Sequence, residues 1–196
     1  MRKKPIAEKL DISIPALTVG GKTVTALNLV EPLSKHVQTA GLLLVPGHSH
    51  ADRRQWQFRL VSQVTGIPEE DVQKIPVSRL DRASAYLWEW IDKDAYQFKF
   101  DADSHVITLK KPVVLENAQC ERLSLREPFG GEVLTAERRL RPPNGSGQAR
   151  DYEIALVALV SGVQEPLIRN VPISQLNEAV AFFAHFFDDG QEAGDA

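Results

Sequence analysis

The sequence predicts an α+β protein made of two copies of one small unit, each a β-hairpin followed by about three helices. Three repeated blocks carry that prediction. "TGI" at Thr65–Ile67 returns as "SGV" at Ser161–Val163, "LNLVEP" at Leu27–Pro32 as "LSLREP" at Leu123–Pro128, and "IPVSRL" at Ile75–Leu80 as "VPISQL" at Val171–Leu176. All three keep one offset, read from the glycines as 162 − 66 = 96. Val37 and Val133, Leu44 and Leu140, Leu60 and Leu156, and Val64 and Val160 fall in the same register, so no gap is needed from Lys22 to Ile91. A period this long marks a duplicated domain; solenoid repeats run to roughly 20–50 residues. The length of 196 residues suits one ordinary domain or two small ones. The units are placed at 10–95 and 104–188, with a disordered acidic tail over 189–196.

Each unit opens on a hairpin. In the second copy "VITLKKPVVL" and "CERLSLREP" are short alternating runs joined around "ENAQ"; in the first, "ISIPALTV" and "TVTALNLVEP" are joined by "GGK". The copies differ by one residue there, which is expected in the turn, where length changes are tolerated. Pro32 and Pro128 end the second strand and open a helix with Val37, Ala40 and Leu44, or Val133, Ala136 and Leu140, at helical spacing. Polar loops follow, "PGHSHADRRQ" and "RPPNGSGQARD". The second helix, "WQFRLVSQVTG" or "YEIALVALVSG", stops at Gly66 or Gly162, where glycine accepts the left-handed conformation of a helix end. The third follows Pro76 or Pro172, with Ser78 or Ser174 expected as its N-cap. A lone two-stranded hairpin is marginal in water, so each must pack on its helices.

Composition narrows the function. The chain is 43% hydrophobic and 25% charged, with a formal net charge of -3, a globular balance with no broad attraction for nucleic acid. A single cysteine, Cys120, forms no internal disulfide. The start "MRKKPIAEKLDIS" carries charge without the apolar run of a signal peptide. No apolar run approaches the roughly 20 residues of a membrane span. A soluble protein of a reducing cytoplasm is expected.

The string "VITLKKPVVL…ERLSLREPFGGEVLTAERR…YEIALVALVSGV…VPISQLNEAVAFFAHF" resembles the small tail-assembly chaperones of contractile-tailed, Mu-like bacteriophages. Thr108, Leu109, Pro112, Leu125, Arg126, Pro128, Leu156, Leu159, Ser161, Gly162 and Leu176 stand at that family's pattern positions. The first unit departs from it: Val30 replaces the arginine, and Lys35 and His36 replace Gly131 and Glu132. The tandem arrangement also departs from the single units common in the family. The resemblance implies a non-enzymatic protein of the host bacterial cytoplasm. Its implied partner is the tape-measure protein or another helical tail component, held before the tail tube polymerises, with self-association possible. It implies no cofactor, metal, nucleic acid or membrane. The alternative in the same setting is a structural tail or baseplate subunit retained in the particle.

Residue by residue, the catalytic signals are poor. His48, His50 and Asp52 offer ligands on one loop, but a closed zinc site needs four and the matching loop of the other copy has none. Cys120 lies in a strand without a histidine nearby in sequence to activate it. Glu69, Glu70 and Asp71 read as a solvated turn, and the arginines of "DRRQWQFR" and "ERRLR" as charged faces diluted by Asp52, Glu137 and Asp151. "VGGKT" lacks the earlier glycine of a phosphate loop.

The segment "AFFAHFF", residues 181–187, holds the remaining signal. With Leu176 centred on the buried stripe, Ala179, Val180, Phe183 and Phe187 share its face, and Phe182 and Phe186 widen it. Tyr86 and Trp90 are their counterparts in the first copy. Two accounts of this aromatic flank stay open: it packs where the units meet, or Tyr86, Trp90, Phe182 and Phe186 line a groove for an amphipathic client helix.

Overall fold

In the computed structural model, which describes residues 6–93, 96, 98, 100, 103–116, 118–142 and 145–189, the duplication is visible element by element. The first half contains strands β1 (Lys9–Val19) and β2 (Lys22–Val30), then helices α1 (Ser34–Gly41), α2 (His50–Thr65), α3 (Glu69–Val72) and α4 (Val77–Ile91). The second repeats the order as β3 (Ser104–Leu115), β4 (Ala118–Arg126), α5 (Gly130–Glu137), α6 (Ser146–Ser161), α7 (Glu165–Ile168) and α8 (Ile173–Asp189). Helix α8 runs through Asp189, the first residue of the expected tail; residues 190–196 lie outside the described residues.

Each hairpin is a separate two-stranded antiparallel sheet. Alternation puts Ile12, Leu27 and Leu29, or Ile107, Leu109, Leu123 and Leu125, on the buried face against the helices. The one-residue difference between copies is not in the turn, which joins Val19 to Lys22 and Leu115 to Ala118 across two residues in each copy. It lies in a bulge of the first strand. Pairing is interrupted between Ser13 and Leu17 in β1, and between Thr108 and Val113 in β3. Pro15 and Pro112 fall inside these interruptions, where a residue without a backbone N–H costs no ladder bond. Gly20 and Gly21 both take positive φ, 54° and 78°, as a tight hairpin turn of this hand requires.

The helices begin earlier than the sequence pattern suggests. The polar stretch before Trp56 already contains the start of α2, because Ser49 and Asp52 cap each other. Asp52 N–H donates to Ser49 Oγ at 3.2 Å and Ser49 N–H to Asp52 Oδ2 at 2.7 Å. In the second copy Gly145 N–H donates to Gln148 Oε1 at 3.0 Å. Helices α4 and α8 start at Val77 and Ile173, one residue before the serines expected to cap them, and α4 has Pro76 at its N-cap with no side-chain cap bond. Gly66 and Gly162 end α2 and α6 at φ 73° and 69°. The predicted solvated turn Glu69–Asp71 is instead the one-turn helix α3. Its Asp71 is buried and holds Lys74 Nζ at 2.6 Å.

The departures of the first unit from the family pattern prove to be coupled. In the second unit Arg126 binds both carboxylate oxygens of Glu132, at 3.0 and 2.7 Å, and covers the Phe129 ring, while Glu132 accepts the Phe129 N–H at 2.8 Å. In the first unit His36 Nδ1 accepts the Leu33 N–H at 3.3 Å, so a histidine does the capping and no arginine is needed. Burial, and then Lys35, push the His36 pKa down from 6.5 to about 4. The fold therefore holds the neutral ring while the unfolded chain protonates it. The stability this contributes is full above pH 6.5 and is lost as pH falls toward 4. After solvent screening the loss is expected to be on the order of 1–2 kcal/mol. Urea titrations at pH 7 and pH 4.5 read it, and His36→Gln, which keeps an acceptor without a titrating group, should lose less over that interval.

The halves meet in a joint that joins different surfaces of the same unit. Leu33 forms an isolated antiparallel bridge with Pro172; Ser34 N–H donates to Val171 O at 2.9 Å and Ile173 N–H to Pro32 O at 2.9 Å. Glu31 Oε1 accepts the Ser174 N–H at 2.8 Å, an acid of the first unit capping the start of α8. Helices α1 and α6 cross so closely that a Cβ on Gly41 would meet Gly147 N at 2.8 Å, and one on Gly147 would meet Leu42 N at 2.4 Å. At the end of α4 the carbonyls of Trp90 and Ile91 accept from Asn177 and Arg150, and Lys93 pairs with Glu153.

Candidate partner-binding surfaces

The aromatic flank lies mostly inside the fold. Tyr86 is 7% exposed, Trp90 6% and Phe182 0%, while Phe186 is half-buried. Tyr86 Oη donates to Ala7 O at 2.9 Å, in the segment entering β1, and burial pushes its pKa up. Phe182 touches the segment entering β3 in the same way, with its ring 5.3 Å from Phe100, 5.7 Å from His105 and 5.1 Å from Phe186. The Trp90 ring lies under Lys110 Nζ at 5.4 Å, so it is the member of the flank that packs across the joint. The structure thus does not gather the four residues into one open groove.

Between the units, Tyr96, Phe98 and Phe100 stack at 5.5 and 6.0 Å and lead to Phe182. The alternating aromatics of "YQFKF" were the available signal for this cover. The other sequence candidates are engaged structurally. Asp52 is held below the usual carboxylate range by its bonds from Ser49. His48 Nδ1 lies 3.1 Å from Val45 O, and the buried Cys120 thiol, pushed up by desolvation, bonds Arg122 O. Among the described residues no three His, Cys, Asp or Glu side chains group as a metal site would require.

Among the described residues, each unit carries an open apolar concavity. The first, about 540 Å³, lies between the end of α1, α2 and α4 and is walled by Leu44, Trp56, Ala85 and Trp88, with His48, Arg53 and Asp81 at its rim. Trp56 and Trp88 meet edge to face at 5.8 Å, and Trp88 is 50% exposed. The second, about 430 Å³, runs along α5, α6 and α7 past Ala155, Ala158, Leu159 and Val163. Leu159 lines it and is exposed, and Leu134 is exposed on α5. At the matching positions the first unit has Gln38, Arg59, Ser62 and Gln63, so the repeat does not duplicate this apolar face.

The family of phage tail assembly chaperone proteins, E, or 41 or 14, matches the chain twice, over residues 9–90 and 106–188. The chain belongs to that family. The two matched stretches follow the two structural halves, so this chaperone is a tandem of two family units. Neither a curated protein nor a solved structure matches it. Among the described residues of the chaperone no helix is long and apolar enough to cross a membrane.

Proposed function

We propose that this tandem chaperone binds the tape-measure protein, a long helical tail component, in the host cytoplasm and keeps it soluble until tail-tube subunits polymerise around it. The family match over both halves carries the reading. The α5–α6–α7 face supports it as the client surface. An amphipathic helix docks by laying apolar side chains into a groove and its polar edge against charged neighbours, and this groove offers Ala155, Ala158, Leu159 and Val163 beside Thr135, Arg139, Gln164 and Glu165. Tyr86, Trp90 and Phe182 shape the surrounding helices from within, and Phe186 stands at the edge of that packing.

Co-expression with a tape-measure protein of the same phage tests the reading. The client is expected to be soluble and to co-purify with the chain. Leu134→Glu with Leu159→Glu should leave the chain folded and weaken the complex at least about tenfold, as loss of two interface anchors does. A tape-measure protein equally insoluble with and without the chain contradicts the proposed function. An unchanged complex in the double variant moves the client to another surface.

A further inference from the structure

The Trp56–Trp88 concavity continues past its tryptophans. A second hollow of about 250 Å³ shares the Leu44, Trp56 and Trp88 wall and runs on to Ile91 and Lys93, against Ala149 and Glu153 of α6. The two make one trough along the first unit that reaches the joint, a shape that suits a segment of chain. Ser84 lines the trough at 5% exposure, and its Oγ has no hydrogen-bond partner among the described residues. A buried hydroxyl left so costs stability until a ligand atom meets it. The register position in the second unit is Val180, so the fold does not require a hydroxyl there.

The charges along the trough do not balance. Asp81 is held by Arg54 at 2.7 Å, and Asp52 is engaged in the cap of α2. Arg53 stands exposed at the rim with no ion pair among the described residues. At the far end Lys93 and Arg150 both pair with Glu153. One cation is left over, and an acidic occupant complements it. The second unit shows what this face of the repeat binds. There the end of α4 covers α6 and α8, and its Ile91 and Trp90 carbonyls accept from Arg150 and Asn177. That occupant is a helix held through its acceptor atoms. The counterparts Arg54 and Asp81 remain at the surface beside Trp88, which is 50% exposed.

We propose that this trough binds a helical segment of the client in which a tyrosine or tryptophan stands one turn from a carboxylate. The ring lies against Trp56 and Trp88, its O–H or N–H donates to Ser84 Oγ, and the carboxylate pairs with Arg53. The inference rests on the proposed client and gives it a second holding point of different chemistry. In the α5–α6–α7 groove Arg139 and Glu165 already pair with each other at 3.1 Å, so that groove has no preference for an acid.

Short overlapping peptides covering a tape-measure protein of the same phage, titrated into the full chain and followed by tryptophan fluorescence, are the test. Peptides with the aromatic and the acid one turn apart are expected to bind and shift the emission, and Arg53→Glu to weaken them about tenfold. Replacing the peptide acid by lysine should restore binding to the Arg53→Glu chain, which no merely structural role of Arg53 would produce. Trp88→Ala should also cost about tenfold or more, and thermal melts confirm that each variant is folded. Were Trp88→Ala unfolded, the charge exchange alone decides. The proposal is overturned if no peptide changes the emission, or if those that bind ignore the charge at Arg53. It is overturned equally if the trough is filled by a second copy, seen as a sedimenting mass that rises with concentration and falls back in Trp88→Ala. Shielding of Trp88 from acrylamide in the free protein would put the chain's own segment there, with the same consequence. A client kept soluble in co-expression while no peptide binds the trough overturns this proposal and leaves the proposed function standing. A client equally insoluble with and without the chain overturns the function itself.

Discussion

Phe182→Ala is expected to destabilise the protein by about 3–5 kcal/mol, a large share of the stability of a domain this size. The ring is fully buried and contacts Phe100, His105, Phe183 and Phe186. The loss combines transfer and cavity terms. Phe186→Ala, at a half-buried position, should cost clearly less. Urea unfolding followed by tryptophan fluorescence reads both. If Phe182→Ala lost under about 1 kcal/mol, the ring would have to be loosely packed, and its assignment to the core of the second unit would be wrong. A Phe182 and Phe186 double serine variant is accordingly expected to be largely unfolded, which makes it a poor probe of client binding.

Arg150→Ala is expected to cost about 3 kcal/mol, and the same change at Arg54 less than about 1 kcal/mol. The two arginines occupy one position of the repeat and make one bond each to the facing residue of α8 or α4, at 2.7 Å in both. The facing residue, Asn177 against Asp81, and the environment differ. Arg150 and Glu153 are both buried at the joint, and removing the guanidinium leaves the carboxylate with Lys93 alone and strips the Ile91 carbonyl of its donor. Arg54 and Asp81 stand in solvent, where pairing energy and side-chain entropy nearly cancel. Equal losses at the two sites, measured by denaturant titration, would mean that the joint does not form in solution.

Much of this fold is legible because duplication allows each element to be read twice. The hairpins, Gly66, Gly162 and the three long helices follow from alternation, helical spacing and the shared register. What escaped has local causes. The one-residue slip reads as a turn insertion because turns tolerate length changes, yet Pro15 and Pro112 mark a break in the strand, and a bulge absorbs a residue without disturbing a two-residue turn. The starts of α2 and α6 were hidden in polar stretches whose capping pairs, Ser49 with Asp52 and Gly145 with Gln148, are short-range signals without hydrophobic periodicity. One-turn helices such as α3 have too few residues to show a period at all.

The partner surface was less legible for a different reason. Helical spacing locates the edge of an apolar face, but it does not reveal what lies on that edge. Phe182 and Tyr86 are covered by the chain segments that enter β3 and β1, and those segments are remote in sequence. The exposed residues, Trp88, Leu134 and Leu159, have alanine or glutamine as counterparts in the other copy, so the repeat carries no shared signal at these positions.

The most direct test of the account is quantitative mass spectrometry of the chain along tail assembly, from lysates in which the tail tube subunit is withheld to purified finished tails. The proposed function predicts a complex with the tape-measure protein when the tube subunit is absent, and loss of the chain from finished tails. A fixed stoichiometric amount in finished tails, with no complex in the withheld lysate, would contradict it and make the protein a structural subunit of the tail.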